Sequence, residues 1–280
     1  MNAVADRSNA TASSLSELLS SPGATRQQMF GRLAMFVTET GDAARQASKA
    51  MAASGGAQVD ASPCVRAMNE RASATRMIAS AVEGAIGGAT GEVVSPSRAS
   101  AAAGTLTASE AGLGRSDSAW EVCASRFSRS PGAPRIERSA WVGGDSIWGG
   151  GPAPSYVAAL QSSASLAPAH ALAVLSVRLV PEPVFQPGGG MLLTAKGRLL
   201  VTVVVKDTGN VDEPKVQISA SFATRTVQVE VSIEAGGSLA VDLPVLRVPQ
   251  SGSGPLSVKA IAEPSGATAS SREQLTLLPG

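Results

Sequence analysis

The chain has 280 residues, a net charge of +1, 16% charged and 3% aromatic side chains, and an apolar fraction of 44% made largely of small residues. Residues 1–165 hold 14 basic and 13 acidic side chains and residues 166–280 hold nine of each, so neither part has the Lys/Arg excess that a nucleic acid or an anionic membrane surface requires. No run of 18 apolar residues offers a membrane span, and the length together with a shift in residue usage near position 165 predicts two domains.

Residues 1–24 are rich in Ser, Ala and Asn with only LSELL to bury, which predicts a disordered or frayed N-terminus. A helical domain is expected over 25–130. Met29, Leu33, Phe36, Val37, Thr40, Ala44, Ala47 and Met51 recur at steps of three or four, the apolar stripe of a helix that Gly55 and Gly56 would stop. Ser62 as cap and Pro63 in the first turn open a second helix, with Cys64, Met68, Ala72, Thr75, Ile78, Val82 and Ile86 on one face and Gly87–Gly88 at its end. Two such helices joined by a short loop pack as an antiparallel hairpin or the start of a bundle. Residues 96–113 read as weakly helical and interrupted at Gly104. A stronger helix is expected from a Ser116 or Asp117 cap, carrying Trp120, Cys123 and Phe127 on one face.

Cys64 and Cys123 are the only cysteines and both fall on apolar stripes. One pair allows one connectivity, and a bridge closing about 60 residues would add roughly 4 kcal/mol. The bridge goes with export, and two separate buried thiols are the alternative. Two cysteines and a distant histidine do not make a zinc site.

Residues 131–168 form a Gly/Pro-rich linker that nevertheless holds Trp141, Ile147 and Trp148, followed by a short helix near Ser155–Ala167 bearing Tyr156. Aromatic area of this size needs a covering surface. Trp141, Trp148 and Tyr156 therefore either staple the linker onto a domain or build a stacking platform for a ligand such as a glycan.

From 169 to 280 the text changes to short alternating runs: ALAVLSVRLV, RLLVTVVVK, KVQISASF, TVQVEVSIE, SLAVDLPVLRV, PLSVKAIAE and REQLTLL. Seven strands at about ten-residue spacing predict a two-sheet β-sandwich. The full expectation is α+β: an N-terminal helical hairpin or bundle, then an immunoglobulin-like seven-stranded sandwich. VTVVVKDTGNV (Val201–Val211), IEAGGSLAVDLP (Ile233–Pro244) and PLSVKAIAEP (Pro255–Pro264) resemble the CARDB-type bacterial immunoglobulin-like domain over about 100 residues, while the final turn, SGATASSREQ, departs from that family's asparagine-rich form. The resemblance implies an extracellular spacer or binding module with no catalytic residue to carry over.

Little else suggests chemistry. His170 is the only histidine, lies at the junction of the halves and has no nucleophile motif near it, so an interdomain hydrogen-bonding role is expected rather than catalysis. Asp207, Asn210, Asp212 and Glu213 make an acidic turn that could offer oxygens to calcium, although Gly-Asn between strands is already turn chemistry. The glycine clusters at 143–151 and 187–190 lack a phosphate-binding arrangement. No cofactor is expected. These readings point to a non-enzymatic cell-envelope or surface protein with a protein or cell-wall partner, its amphipathic helices offering a route to homo-oligomers. Because the N-terminus lacks the features of a signal peptide, the literal expectation is a soluble cytoplasmic chain, and the envelope reading would need a signal or anchor upstream; the alternative is a structural subunit of a cytoplasmic or phage-like assembly.

Overall fold

A computed structural model describes residues 2–21, 23–53, 60–130, 135–142, 147–148, 151–186, 190–194 and 197–279. Five helices and ten strands lie in these residues: α1 Asn2–Ser20, α2 Arg26–Ala53, α3 Ser62–Ala85, α4 Pro96–Arg129 and α5 Ala153–Ser162, then β1 Leu172–Val180, β2 Val184–Phe185, β3 Gly190–Thr194, β4 Arg198–Asp207, β5 Glu213–Phe222, β6 Arg225–Ile233, β7 Ser238–Asp242, β8 Leu246–Arg247, β9 Gly252–Ala262 and β10 Thr268–Leu278. The chain is α+β and divides into two units, residues 1–88 with 92–167 and residues 89–91 with 168–280.

In the helical unit, α2 and α3 follow most of their apolar stripes, although Val37 is only half-buried, Met51 is exposed and Ile86 is the residue that caps the end of α3. Met29, Leu33, Phe36, Thr40, Ala44 and Ala47 are buried on α2, as are Cys64, Met68, Ala72, Thr75, Ile78 and Val82 on α3. The start of α3 differs in one detail. Ser62 is its first residue rather than its cap, and its N–H donates to Asp60 Oδ1 at 2.9 Å. The expected stop at Gly55–Gly56 lies outside the described residues.

Two expectations are corrected. The N-terminus is not frayed but forms α1, a 19-residue helix whose buried stripe is Val4, Ala5, Ser8, Thr11, Leu15, Leu18 and Leu19. Ser8 and Thr11 occupy places in that stripe that an apolar count passes over. Likewise Gly104 does not interrupt α4, which runs unbroken for 34 residues from a Ser95 cap that accepts from Arg98 N–H at 3.3 Å. Ser116 is not a cap; it is buried in mid-helix. Glycine inside a helix costs about 1 kcal/mol, but small residues let two helices approach closely. At Gly112 an added Cβ would meet Ala74 Cβ of α3 at 3.7 Å, an ordinary contact, and at Gly104 it would meet nothing within 4 Å.

Among its described residues the helical unit has two buried clusters. One gathers Leu15, Leu18, Phe36, Ile78, Leu106, Trp148, Val157 and their neighbours. The other gathers Val4, Ala47, Cys64, Met68, Trp120 and Cys123. Much of the expected linker belongs to this unit, because Trp141, Ile147, Trp148 and α5 all contribute to the first cluster.

In the β unit each of the seven expected segments carries a strand, and SLAVDLPVLRV divides into β7 and β8. Strands β2 and β3 were not foreseen. One sheet has the order β1-β4-β7, with β8 also paired to β4; the other has the order β2-β3-β10-β9-β5-β6. All pairs are antiparallel except β3 with β10. Period-two alternation does the sorting: Leu199, Val201, Val203 and Val205 of β4 are buried, as are Val216, Ile218, Ala220 and Phe222 of β5. Both sheets contribute to one buried cluster.

Candidate functional site

The strongest polar construction among the described residues was not foreseen from sequence. Arg71, on the buried side of α3 and 1% exposed, donates from Nε to Ser116 Oγ at 3.3 Å, from Nη1 to Ser8 Oγ at 3.0 Å and Ser139 Oγ at 2.6 Å, and from Nη2 to Ser139 O at 2.9 Å. Its ion-pair partner is Asp117 at 2.9 Å. The guanidinium also lies 5.6 Å from the ring centroids of both Trp120 and Trp141. Burial lowers the Arg71 pKa and the Asp117 carboxylate partly restores it. The signal available in the sequence was a cation standing between Met68 and Thr75 on an apolar stripe.

Asp117 also fixes the chain beyond α4, since its carboxylate accepts from Trp141 N–H at 2.8 Å and from Val142 N–H at 2.9 Å. Trp141 Nε1 donates to Ser8 Oγ at 2.9 Å, and Trp120 Nε1 donates to Glu137 O at 2.9 Å. Trp141 therefore sits in the helical core, 7% exposed, with both of its N–H groups engaged.

Cys64 of α3 and Cys123 of α4 form a disulfide with Cα atoms 5.2 Å apart. A second buried cation, Arg26 at the start of α2, donates from Nη1 to Leu166 O at 2.9 Å and from Nη2 to Ile86 O at 2.7 Å and to Gly88 O. Carbonyls just past the end of α3 carry the negative end of that helix, so the cation is well placed there. Burial holds its pKa below the ordinary arginine value.

Trp148 and Tyr156 stack, with centroids 5.8 Å apart and planes 23° from parallel. Both line a cavity of about 550 Å³ that also touches the end of α1, the start of α2 and the turn after α5. Trp148 is buried and its Nε1 donates to Gly151 O at 3.3 Å.

In the β unit the acidic turn is drawn into local hydrogen bonding. Asp207 Oδ1 accepts from Gly209 N–H at 2.7 Å, Asn210 Oδ1 from Ala169 N–H at 2.7 Å, and Asp212 Oδ1 from Ala235 N–H at 2.8 Å. Asp207 is fully buried. That burial raises its pKa, opposed by the Gly209 bond and reinforced by the nearby Glu213 and Asp212 charges. Glu213, 1% exposed, meets His170 Nδ1 at 2.8 Å and Ser265 Oγ at 3.1 Å, so the His170 hydrogen bond lies inside the β unit and is not the interdomain bond expected. No group of three or more His, Cys, Asp or Glu side chains among the described residues is arranged to hold a metal ion. Among the same residues no helix is long and apolar enough to cross a membrane.

No family model matches the chain and no curated protein matches it, so the CARDB-type resemblance rests on the strand and turn segments alone.

Proposed function

We propose that this chain is a non-enzymatic cell-envelope or surface protein, in which a disulfide-closed helical unit and an immunoglobulin-like β unit act as a structural or adhesive binding module. The observation that carries the reading is the Cys64–Cys123 disulfide, because such bonds persist in oxidising compartments and are rare where thioredoxin and glutathione keep thiols reduced. Strand order supports the immunoglobulin-like assignment. The path β1-β4-β7 follows the A-B-E order of that fold, and β10-β9-β5-β6 follows G-F-C-C′.

The test is fractionation of the source cells with thiol trapping by a maleimide polymer under denaturing conditions. The expected result is native protein in the envelope or secreted fraction, with both cysteines unmodified until a reductant is added. A cytosolic pool with both thiols modified would overturn the proposal in favour of a subunit of a cytoplasmic or phage-like assembly.

A further inference from the structure

We propose that the open edge of β6 pairs with β6 of a second copy of this chain, antiparallel and centred on Val229, so that the larger sheet continues across a two-fold axis. This goes beyond the display role, which a single copy can fill.

Among the described residues one sheet ends on β1 and on β7 with β8, and the other ends on β2 and β6. Most of these edges are blunted. β2 and β8 have two residues each, β7 has five, and the pairing of β1 breaks between Val174 and Ser176. β6 is different: it is nine residues long, pairs with β5 without a break from Arg225 to Val231, and contains no proline, glycine or lysine. Folded proteins ordinarily protect an edge of this kind, because its free peptide groups are a template for another strand.

The two-residue turn Ala223–Thr224 closes on the pair Phe222 and Arg225. Counting from that pair, Arg225, Val227, Val229 and Val231 turn their peptide groups toward β5, and Thr226, Gln228, Glu230 and Ser232 turn theirs outward. Among the described residues none of those outward N–H or C=O groups has a hydrogen-bond partner. Val227, Val229 and Val231 pack against the buried cluster yet stay only half-buried, whereas Val216, Ile218 and Ala220 beside them on β5 are fully buried. The missing cover lies where a further strand would stand.

The sequence of β6 selects its own copy as that strand. With the axis at Val229, Thr226 faces Ser232 of the second copy and Gln228 faces Glu230 of the second copy, and these outward-turned pairs exchange main-chain hydrogen bonds. Val227 then faces Val231 of the second copy and Val229 faces its own equivalent, all on the core side. The Gln228 amide can donate to the opposing carboxylate, whose charge is already met by Lys215 at 3.4 Å. A slip of one residue would set valines against polar side chains. Moving the axis to Glu230 puts two carboxylates opposite each other, and moving it to Gln228 leaves Ser232 and Ile233 unpaired.

Sedimentation velocity of the full chain, carried up to millimolar concentration, is expected to show a monomer giving way to a dimer, since an interface of this size belongs to the small, transient class. Gln228→Pro removes an outward N–H while leaving the ladder to β5 intact, and is expected to stay monomeric with the circular dichroism of the parent. Val229→Cys sets two thiols across the axis in a non-hydrogen-bonded pair, where Cα atoms about 4.5 Å apart can be bridged, and should oxidise to a covalent dimer. Ser270→Cys, exposed on β10 between β3 and β9 of the same sheet, should not. A parent that stays monomeric, a dimer that persists in folded Gln228→Pro, or Val229→Cys that cross-links no faster than Ser270→Cys would each overturn the assignment. The cysteine comparison decides the matter where Gln228→Pro loses its fold.

Discussion

His170 Nδ1 lies 2.8 Å from Glu213 Oε1, joining the stretch that precedes β1 to the first residue of β5. The same carboxylate accepts from Ser265 Oγ in the turn between β9 and β10, so one buried side chain ties three separated segments of the β unit. Glu213→Ala leaves those donors without their acceptor and is expected to destabilise the β unit by about 2 kcal/mol. Glu213→Gln retains one acceptor oxygen and loses less. Urea denaturation of the three proteins measures the order, and a Glu213→Ala variant as stable as the parent would show that the carboxylate contributes nothing.

Asp207 gives a pH dependence of definite sign. Burial raises its folded-state pKa above the unfolded value, so between those two values the folded chain holds the proton that the unfolded chain has released. Its contribution to stability therefore falls as pH rises through that window. Asp207→Asn removes the charge and can keep the acceptor for Gly209 N–H. Relative to the parent, this variant is expected to be favoured more near neutral pH than at about pH 4, whatever its constant offset. Denaturation midpoints at the two pH values check this; equal differences would mean that the carboxylate is not strained by burial.

What the sequence made legible follows from residue size. Helices α2 and α3 announce themselves because large apolar side chains mark their stripes, and β4, β5 and β9 because alternation is clean. Helix α1 is hidden because Ser8 and Thr11 hold buried places, and α4 is divided in expectation because Gly104 suggests a break, whereas one glycine costs only about 1 kcal/mol within a 34-residue helix. β3 pairs in parallel with β10, far away in sequence, and has no hairpin signature to reveal it. At the candidate sites, aromatics in Gly/Pro-rich text drew attention to Trp148 and Tyr156, but the cavity they share depends on α1 and α2, which local reading cannot bring together. Arg71 was missed for a similar reason: Ser8, Ser116, Asp117 and Ser139 come from three separate parts of the chain.

Because the disulfide joins α3 to α4 and the β unit's buried cluster shares no residue with the two helical clusters, its loss acts on one unit. Cys64 and Cys123 are 59 residues apart, a loop whose closure contributes about 4 kcal/mol in the chain-entropy picture. The double variant Cys64→Ala with Cys123→Ala, or reduction of the parent, is expected to lower only the helical transition in calorimetry by that amount. An equal shift of both transitions would show that the effect is not confined to the helical unit, and a shift of neither would show that the bridge adds no stability.

Arg71 should be the least replaceable side chain of the helical unit. Its planar guanidinium reaches Ser8 of α1, Ser116 and Asp117 of α4 and Ser139 beyond it at once, while resting against Trp120 and Trp141. Removing it leaves the Asp117 carboxylate, 14% exposed, without its buried counter-ion, the situation in which breaking a buried pair costs about 3–5 kcal/mol. Arg71→Ala is expected to lose that amount. Arg71→Lys keeps the charge but not the fork, since one ammonium cannot reach acceptors spread around a whole guanidinium, and it should recover less than half of the loss. Arg71→Met paired with Asp117→Asn separates charge from packing. The pair removes both ions together, so it should be more stable than Arg71→Met alone if the uncompensated carboxylate is the main penalty, and no more stable if the lost hydrogen bonds to the serines dominate.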